Sequence, residues 1–219
     1  MKQPRICAAI TTSDLKAIRQ AEPLVDLFEV RIDLIGNDWQ EIAKKLDKPW
    51  IACNRSQAEG GQWQDNEEGR IERLLQALIL GAAVIDIELS TTNLTNIVKL
   101  VKKRAECLLS YHNLEKTPDF DTMRQIIHQQ IEAGADICKV VTTARSFEDN
   151  LRVLQLIPAF QGNRVVVFAM GAAGITSRIF CPLVGGDFTY ASLAEGRESA
   201  PGQISVKDLK NIYEMIGSR

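Results

Sequence analysis

The feature that most limits what this chain can fold into is an alternation. Short runs rich in β-branched residues are followed repeatedly by longer segments whose apolar residues recur at helical spacing. The runs that read as strands lie near Ile6–Ile10, Asp26–Ile32, Trp50–Asn54, Val84–Glu88, Cys107–Tyr111, Asp136–Val141, Arg164–Phe168 and Asp187–Tyr190. Among the intervening segments, Asp14–Ala21 starts behind Thr12-Ser13 as its cap, and Glu67–Leu80 places Ile71, Leu74, Leu75 and Leu78 on one face. Leu94–Val101, Phe120–Ala133, Phe147–Leu156 and Val206–Ile216 complete the helices, the last capped by Ser205. Strands that alternate with helices imply a parallel sheet. Eight such units favour a closed single-domain (β/α)8 TIM barrel over an open sheet. The 219 residues leave about 27 per unit, so the barrel is compact against a usual size of about 250 residues. No linker or low-complexity segment divides residues 1–219. The least regular unit is the last, where Gly185-Gly186 and the stretch from Gly196 to Gly202 read as loop.

Composition narrows the function. Hydrophobic residues are 45% and charged residues 25%, ordinary for a soluble globular protein. Twenty-six basic against 28 acidic residues give a net charge of -2, which lends no support to general nucleic-acid binding. The apolar run Ile6–Ile10 is too short for a signal-peptide core, and Ala77 to Ile87, broken by Gly81 and Asp86, falls short of a membrane span. Cys7, Cys53, Cys107, Cys138 and Cys181 are isolated, without metal-ligand spacing. They read as buried small hydrophobes in a reducing, cytoplasmic setting, with no metal site.

The chemistry lies in charged residues placed where a barrel strand should be apolar. Side chains alternate along a strand, and barrel active sites sit at the strands' C-terminal ends. Glu29 and Arg31 share one face of the second strand, as a structural ion pair or as paired groups for a polar substrate. Arg55, after the third strand, opens a segment that ends in Glu59-Gly60-Gly61, either a surface loop or a close approach to a ligand. His112 shares a face with Ser110 at the end of the fifth strand, where an imidazole suits proton transfer. His128, mid-helix among polar neighbours, reads as a solvated residue. Lys139 interrupts the core-like run Ile137-Cys138-Lys139-Val140-Val141. Burial lowers an ammonium's pKa, and a buried amine is a nucleophile for carbonyls; the alternative is a lysine that snorkels to the strand end. His112 and Lys139 would be barrel neighbours. Gly171 to Gly174, with Arg178 behind it, suits a phosphate or a carboxylate. Ser199-Ala200-Pro201-Gly202-Gln203 reads as a lid, a hydroxyl-binding loop or a plain turn.

Together these segments resemble the type I 3-dehydroquinate dehydratases, from the first strand to the last helix. The likeness rests on Glu29-Val30-Arg31-Ile32-Asp33, Arg55 with Glu59-Gly60-Gly61, Ser110-Tyr111-His112, Asp136-Ile137-Cys138-Lys139, Met170-Gly171 through Ser177-Arg178, and Ser199 to Gln203, all in the family's order. The resemblance implies a shikimate-pathway hydro-lyase that converts 3-dehydroquinate to 3-dehydroshikimate without cofactor or metal. By it Lys139 forms an imine with the ring ketone, His112 serves as general base and then acid, and Glu59 supports His112 and favours its charged form. Arg178 meets the substrate carboxylate, and Glu29, Arg31, Arg55, Ser199 and Gln203 hold the ring's polar groups. It also implies a homodimer, with no membrane or nucleic-acid partner.

Three departures stand out. The first strand starts almost at once, so the N-terminal hairpin cover common in the family is expected to be missing. Ala8-Ala9 stands where some members carry a serine. Asn113-Leu114 follows His112 where Asp-Phe is common, removing a charge beside the base. Two alternatives to the dehydratase reading are another lysine-imine barrel of the class I aldolase type, with a phosphate site at Gly171–Gly174, and a ligand-binding barrel without catalysis.

Overall fold

The computed structural model describes residues 3–217. Eight strands form one sheet: β1 (Ile6–Ile10), β2 (Leu27–Arg31), β3 (Trp50–Cys53), β4 (Val84–Glu88), β5 (Glu106–His112), β6 (Ile137–Thr143), β7 (Arg164–Met170) and β8 (Thr189–Ser192). All the pairings are parallel, each strand lies beside its sequence neighbour, and β8 returns to pair with β1. Between β7 and β8 the seam is joined below the ladder, where the Asp187 N–H donates to the Val165 carbonyl at 2.8 Å. The result is a nearly closed (β/α)8 barrel.

The inside is stratified. Cys7, Leu27, Ile51, Val84, Leu108, Ile137, Val166 and Phe188 fill the lower interior as one apolar floor. Two residues further along several strands the inward positions become Glu29, Cys53, Asp86, Ser110 and Lys139, all buried. The register sets Cys53 beside Asp86 and Ser110 beside Lys139. The charged layer therefore rests on apolar packing and faces the C-terminal ends of the strands. Outward positions such as Ile85, Ile87 and Leu109 pack against the helices.

Most predicted elements are present with shifted ends. The first helix, Leu15–Ala21, is capped by Asp14, whose Oδ1 accepts from Lys16 and Ala17 at 3.1 Å, and not by Thr12-Ser13. β8 lies at Thr189–Ser192 rather than Asp187–Tyr190, because Asp187 is held below the barrel by Arg5 and Arg164 at 2.9 and 2.8 Å. Phe147–Leu156 is divided into Glu148–Leu154 and Leu156–Ala159. Sequence reading gave no helix after β2, where Trp39–Ala43 buries Trp39, and none behind the loop ending at Gly174, where Ile175–Phe180 is helical. Ser205 caps the last helix, Val206–Gly217, by accepting from the Asp208 N–H at 3.2 Å. His128 is exposed and packs edge-on against Phe160, and the five cysteines are free and buried. No helix among the described residues is long and apolar enough to cross a membrane.

Candidate active site

The charged layer opens into a pocket of about 330 Å³ at the C-terminal ends of the strands. Every site residue singled out from sequence lines it: Glu29, Arg31, Arg55, Glu59, His112, Lys139, Arg178, Ser199 and Gln203. Phe168, Met170 and Tyr190 supply its apolar wall.

Lys139 stands at its base. Its Nζ donates to Asp86 Oδ2 at 3.0 Å and to the Tyr190 hydroxyl at 3.2 Å, and it lies 3.5 Å from Glu29 Oε1, which accepts no hydrogen bond among the described residues. Burial pulls the amine's pKa down, yet the charges of Asp86 and Glu29 outweigh it and hold the group above its ordinary value. The expectation of a burial-lowered lysine is thereby corrected. Sequence reading weighed the desolvation and missed the two carboxylates.

Asp86 is the hub. Its Oδ2 also accepts from Arg55 Nη2 at 2.7 Å, and its Oδ1 from Ser110 Oγ at 2.6 Å. Burial alone would raise its pKa, but Arg55 and Lys139 drive it well below the carboxylate range. Asp86 was not picked out from sequence, although Val84-Ile85-Asp86-Ile87-Glu88 carries acids at alternate positions of an apolar strand, the same signal that marked Glu29 and Arg31.

His112 ends β5 on the strand next to Lys139. Its Nδ1 meets Glu59 Oε2 at 2.8 Å. Burial, with Arg55 and Lys139 nearby, pushes the imidazole well below its ordinary pKa, so Glu59 does not keep His112 charged as its proximity suggested. Glu59 is itself raised to about 7, first by burial and then by Glu88 and Asp86, against the pull of Arg55. With the imidazole lowered and the carboxyl raised, the two meet as a hydrogen-bonded pair and not as a fixed ion pair. Asn113 is occupied elsewhere: its Oδ1 accepts from Glu115 and Lys116 at 3.0 and 2.9 Å, and its Nδ2 donates to Tyr111.

Arg31 is bidentate to Asp33, at 3.0 and 2.7 Å. Arg178 differs from the other arginines. It is buried over the Phe168 ring at 4.3 Å, makes one 3.4 Å bond to the Pro201 carbonyl, and its Nε has no partner among the described residues. Burial without a counter-ion lowers it to about 10. An uncompensated guanidinium at a pocket wall is a receptor for a carboxylate.

Ser199 and Gln203 bind each other, with Gln203 Oε1 accepting from the Ser199 N–H at 2.7 Å and from its Oγ at 3.1 Å. Their loop is seated on the barrel at Gly202 (φ 75°), where a Cβ would fall 2.3 Å from the Gly171 carbonyl oxygen. In the segment from Gly171 to Ser177, three of the N–H groups that a phosphate would call on are already taken. Gly171 N–H donates to Pro201, Gly174 N–H to Gly171, and Ser177 N–H to Asn150.

Among the described residues, Glu29, Cys53 and Asp86 bring three ligand-type atoms within 4.8 Å. Arg55 and Lys139 already neutralise Asp86, and burial keeps the Cys53 thiol protonated, so the trio is charge-matched without a cation.

A parallel barrel with an amine, an imidazole and an unpaired guanidinium gathered at its C-terminal mouth is the architecture of a (β/α)8-barrel enzyme. Residues 6–219 match the family model for type I 3-dehydroquinase. A 3-dehydroquinate dehydratase of Dehalococcoides mccartyi is 40% identical over 99% of this chain and 97% of its own length. One of Methanococcus maripaludis is 35% identical over 96% and 99%. The crystal structure of the 3-dehydroquinate dehydratase from Geobacillus kaustophilus superposes with a TM-score of 0.85 at 27% identity, covering 99% of this chain and 92% of that one. The chain belongs to the type I 3-dehydroquinase family, and as such it is a hydro-lyase of the shikimate pathway that acts on 3-dehydroquinate.

Proposed function

We propose that this chain dehydrates 3-dehydroquinate to 3-dehydroshikimate through an imine on Lys139, with His112 moving the protons. The observation that carries the reading is the placement of Lys139 and His112 on neighbouring strands of one pocket that also holds the uncompensated Arg178. The substrate carboxylate takes the position opposite Arg178, with Ser199 and Gln203 closing over the ring. Glu29, Arg31 and Arg55 line the wall that receives its hydroxyls.

Lys139 loses its proton and attacks the ring ketone, and the carbonyl oxygen leaves as water. The iminium withdraws electrons from the adjacent carbon more strongly than the ketone did. Neutral His112 takes the proton from that carbon, and the C–H electron pair moves into an enamine. The enamine re-forms the iminium by expelling the hydroxyl group, which leaves as water with the proton from His112. Hydrolysis consumes one water, releases the product and restores the amine. Glu59 orients the imidazole through Nδ1 and holds its second proton, leaving Nε2 for the substrate. Asp86 keeps the resting lysine and Arg55 in place.

The test is intact mass after borohydride reduction in the presence of 3-dehydroquinate. The reading expects an adduct of dehydrated-product mass that maps to Lys139 and is absent from Lys139→Ala. A folded sample that traps nothing overturns it.

We also propose that the protein works as a cytoplasmic homodimer. The five free, buried thiols suit a reducing compartment. Phe147 and Leu151, one turn apart and 57% and 53% exposed, lie at the start of and on the helix Glu148–Leu154, which runs beside the helix Ile175–Phe180, and they offer apolar surface to a second copy. A single-chain mass by light scattering removes the dimer.

A further inference from the structure

The pocket wall does not explain why Glu88 is charged. It ends β4, is 2% exposed and does not line the pocket. Both its oxygens are committed to the segment that carries Glu59. Oε1 accepts from the Ser56 N–H at 2.8 Å, and Oε2 accepts from Ser56 Oγ at 2.8 Å. Oε1 also lies 3.4 Å from Arg55 Nη1 and 3.5 Å from Arg70 Nη1.

Arg70 is a second buried charge without a pocket role. It leaves the helix Glu67–Ile79 and reaches inward behind Glu88. Glu67 holds it bidentately at 2.7 Å, Thr91 Oγ1 accepts from it at 2.8 Å, and the Asn54 carbonyl accepts at 3.1 Å. Burying two charges is costly, which raises the question of what this pair holds in place.

What it fixes is a tight turn. The Glu59 N–H donates to the Ser56 carbonyl at 3.2 Å, the Gly61 N–H to the same carbonyl at 2.8 Å, and the Trp63 N–H to the Arg55 carbonyl at 3.3 Å. Gly61 has no room for a side chain, since a Cβ there would fall 2.0 Å from the Arg55 carbonyl oxygen. The turn is thus folded against its own start, and its start is Ser56. Moving Ser56 moves Glu59, three residues on, away from His112 Nδ1.

We infer that Glu88, braced by Arg70, is a positioning residue for the dehydration: it pins Ser56 and so sets the Glu59 carboxylate against His112. The inference rests on the proposed roles of His112 and Glu59. The charged groups that bear on Glu59 are Arg55 and Lys139, which favour its ionised form, Glu88 and Asp86, which oppose it, and the His112 imidazole that it meets.

The test uses Ser56→Ala, Glu88→Gln and Glu59→Gln, with kcat, KM and the pH profile measured on folded enzyme. Ser56→Ala removes the side-chain anchor and leaves every charge in place. It should lower kcat by about tenfold to a hundredfold with little change in KM, and leave the acid limb of the profile unmoved. Glu88→Gln keeps an acceptor for Ser56 but removes the charge, so kcat falls less while the acid limb moves to lower pH. In both variants borohydride should still trap an adduct on Lys139, with a larger share of undehydrated mass at short reaction times than in the wild type, because the anchor acts on proton transfer and not on the imine. Wild-type kcat and acid limb in both, with Glu59→Gln impaired, overturn the anchor alone. Wild-type behaviour in Glu59→Gln overturns the pair and the anchor with it. Should Glu88→Gln fail to fold, Ser56→Ala, which buries no new unpaired charge, decides.

Discussion

Arg178→Met should make the protein more stable and unable to hold its substrate. Arg178 is 2% exposed with no carboxylate partner among the described residues, and burial lowers it to about 10. At about 1.36 kcal/mol for each tenfold change in proton affinity, that fall corresponds to a cost of about 3 kcal/mol. The unfolded chain holds this proton more tightly than the folded one. The cost is therefore present in full at neutral pH and is relieved only as pH rises past about 10. Methionine keeps much of the length and carries no charge. It forfeits the packing of the cation on Phe168, about 1 kcal/mol, and the long bond to Pro201, at most about 1 kcal/mol. The balance is a gain of about 1–2 kcal/mol, or about 2–8 °C in Tm for a chain of this size. Scanning calorimetry reads it directly. The wild type should gain about 2.7 kcal/mol more at a ligand concentration of about a hundredfold Kd, and the variant should gain nothing at that concentration. A variant Tm at or below wild type would show that the guanidinium is not carrying an unpaid burial cost. A ligand-induced rise equal to the wild type's would take Arg178 out of carboxylate recognition.

Lys139→Ala should abolish turnover and the borohydride adduct, and lower Tm. It strips a cation from Asp86 and Glu29, a loss of about 3–5 kcal/mol for a broken buried pair, and an unchanged Tm would contradict that arrangement. His112→Ala should still form the imine but stall before elimination, and rapid product formation by this variant would remove His112 from proton transfer. The profile of kcat/KM should fall as pH drops through about 7, where the Glu59 carboxyl takes up its proton and the pair loses its capacity as a base. Glu59→Gln should displace that limb, and a wild-type profile flat from about pH 8 to about pH 5 would refute the assignment.

The barrel was legible because its strands and helices repeat with different periods, and β1, β4 and the helix Leu94–Val101 were read to the residue. The elements that were missed are short and depend on tertiary contacts. Trp39–Ala43 is five residues long and too short for periodicity to show, yet it buries Trp39 almost completely. Ile175–Phe180 begins behind two glycines that mask it, and Asn150, 27 residues earlier, supplies the acceptor for its Ser177 N–H. Local sequence does not contain that partner.

The site was legible in its members and misread in its electrostatics. A charge on the inward face of an apolar strand marks a candidate, which is how Glu29 and Lys139 were found. The charge state that such a group adopts depends on what the barrel sets across from it. Lys139 meets Asp86 from two strands away, and His112 meets Glu59 from a turn 53 positions earlier in the chain. Read alone, Lys139 is a lysine that burial should neutralise and His112 an imidazole that a carboxylate should charge. Closing the barrel reverses both. Two carboxylates hold the lysine protonated, while burial, Arg55 and Lys139 hold the histidine neutral. In the mechanism we propose, the resting site therefore keeps its base ready and its nucleophile masked, and the amine gives up its proton after the substrate arrives.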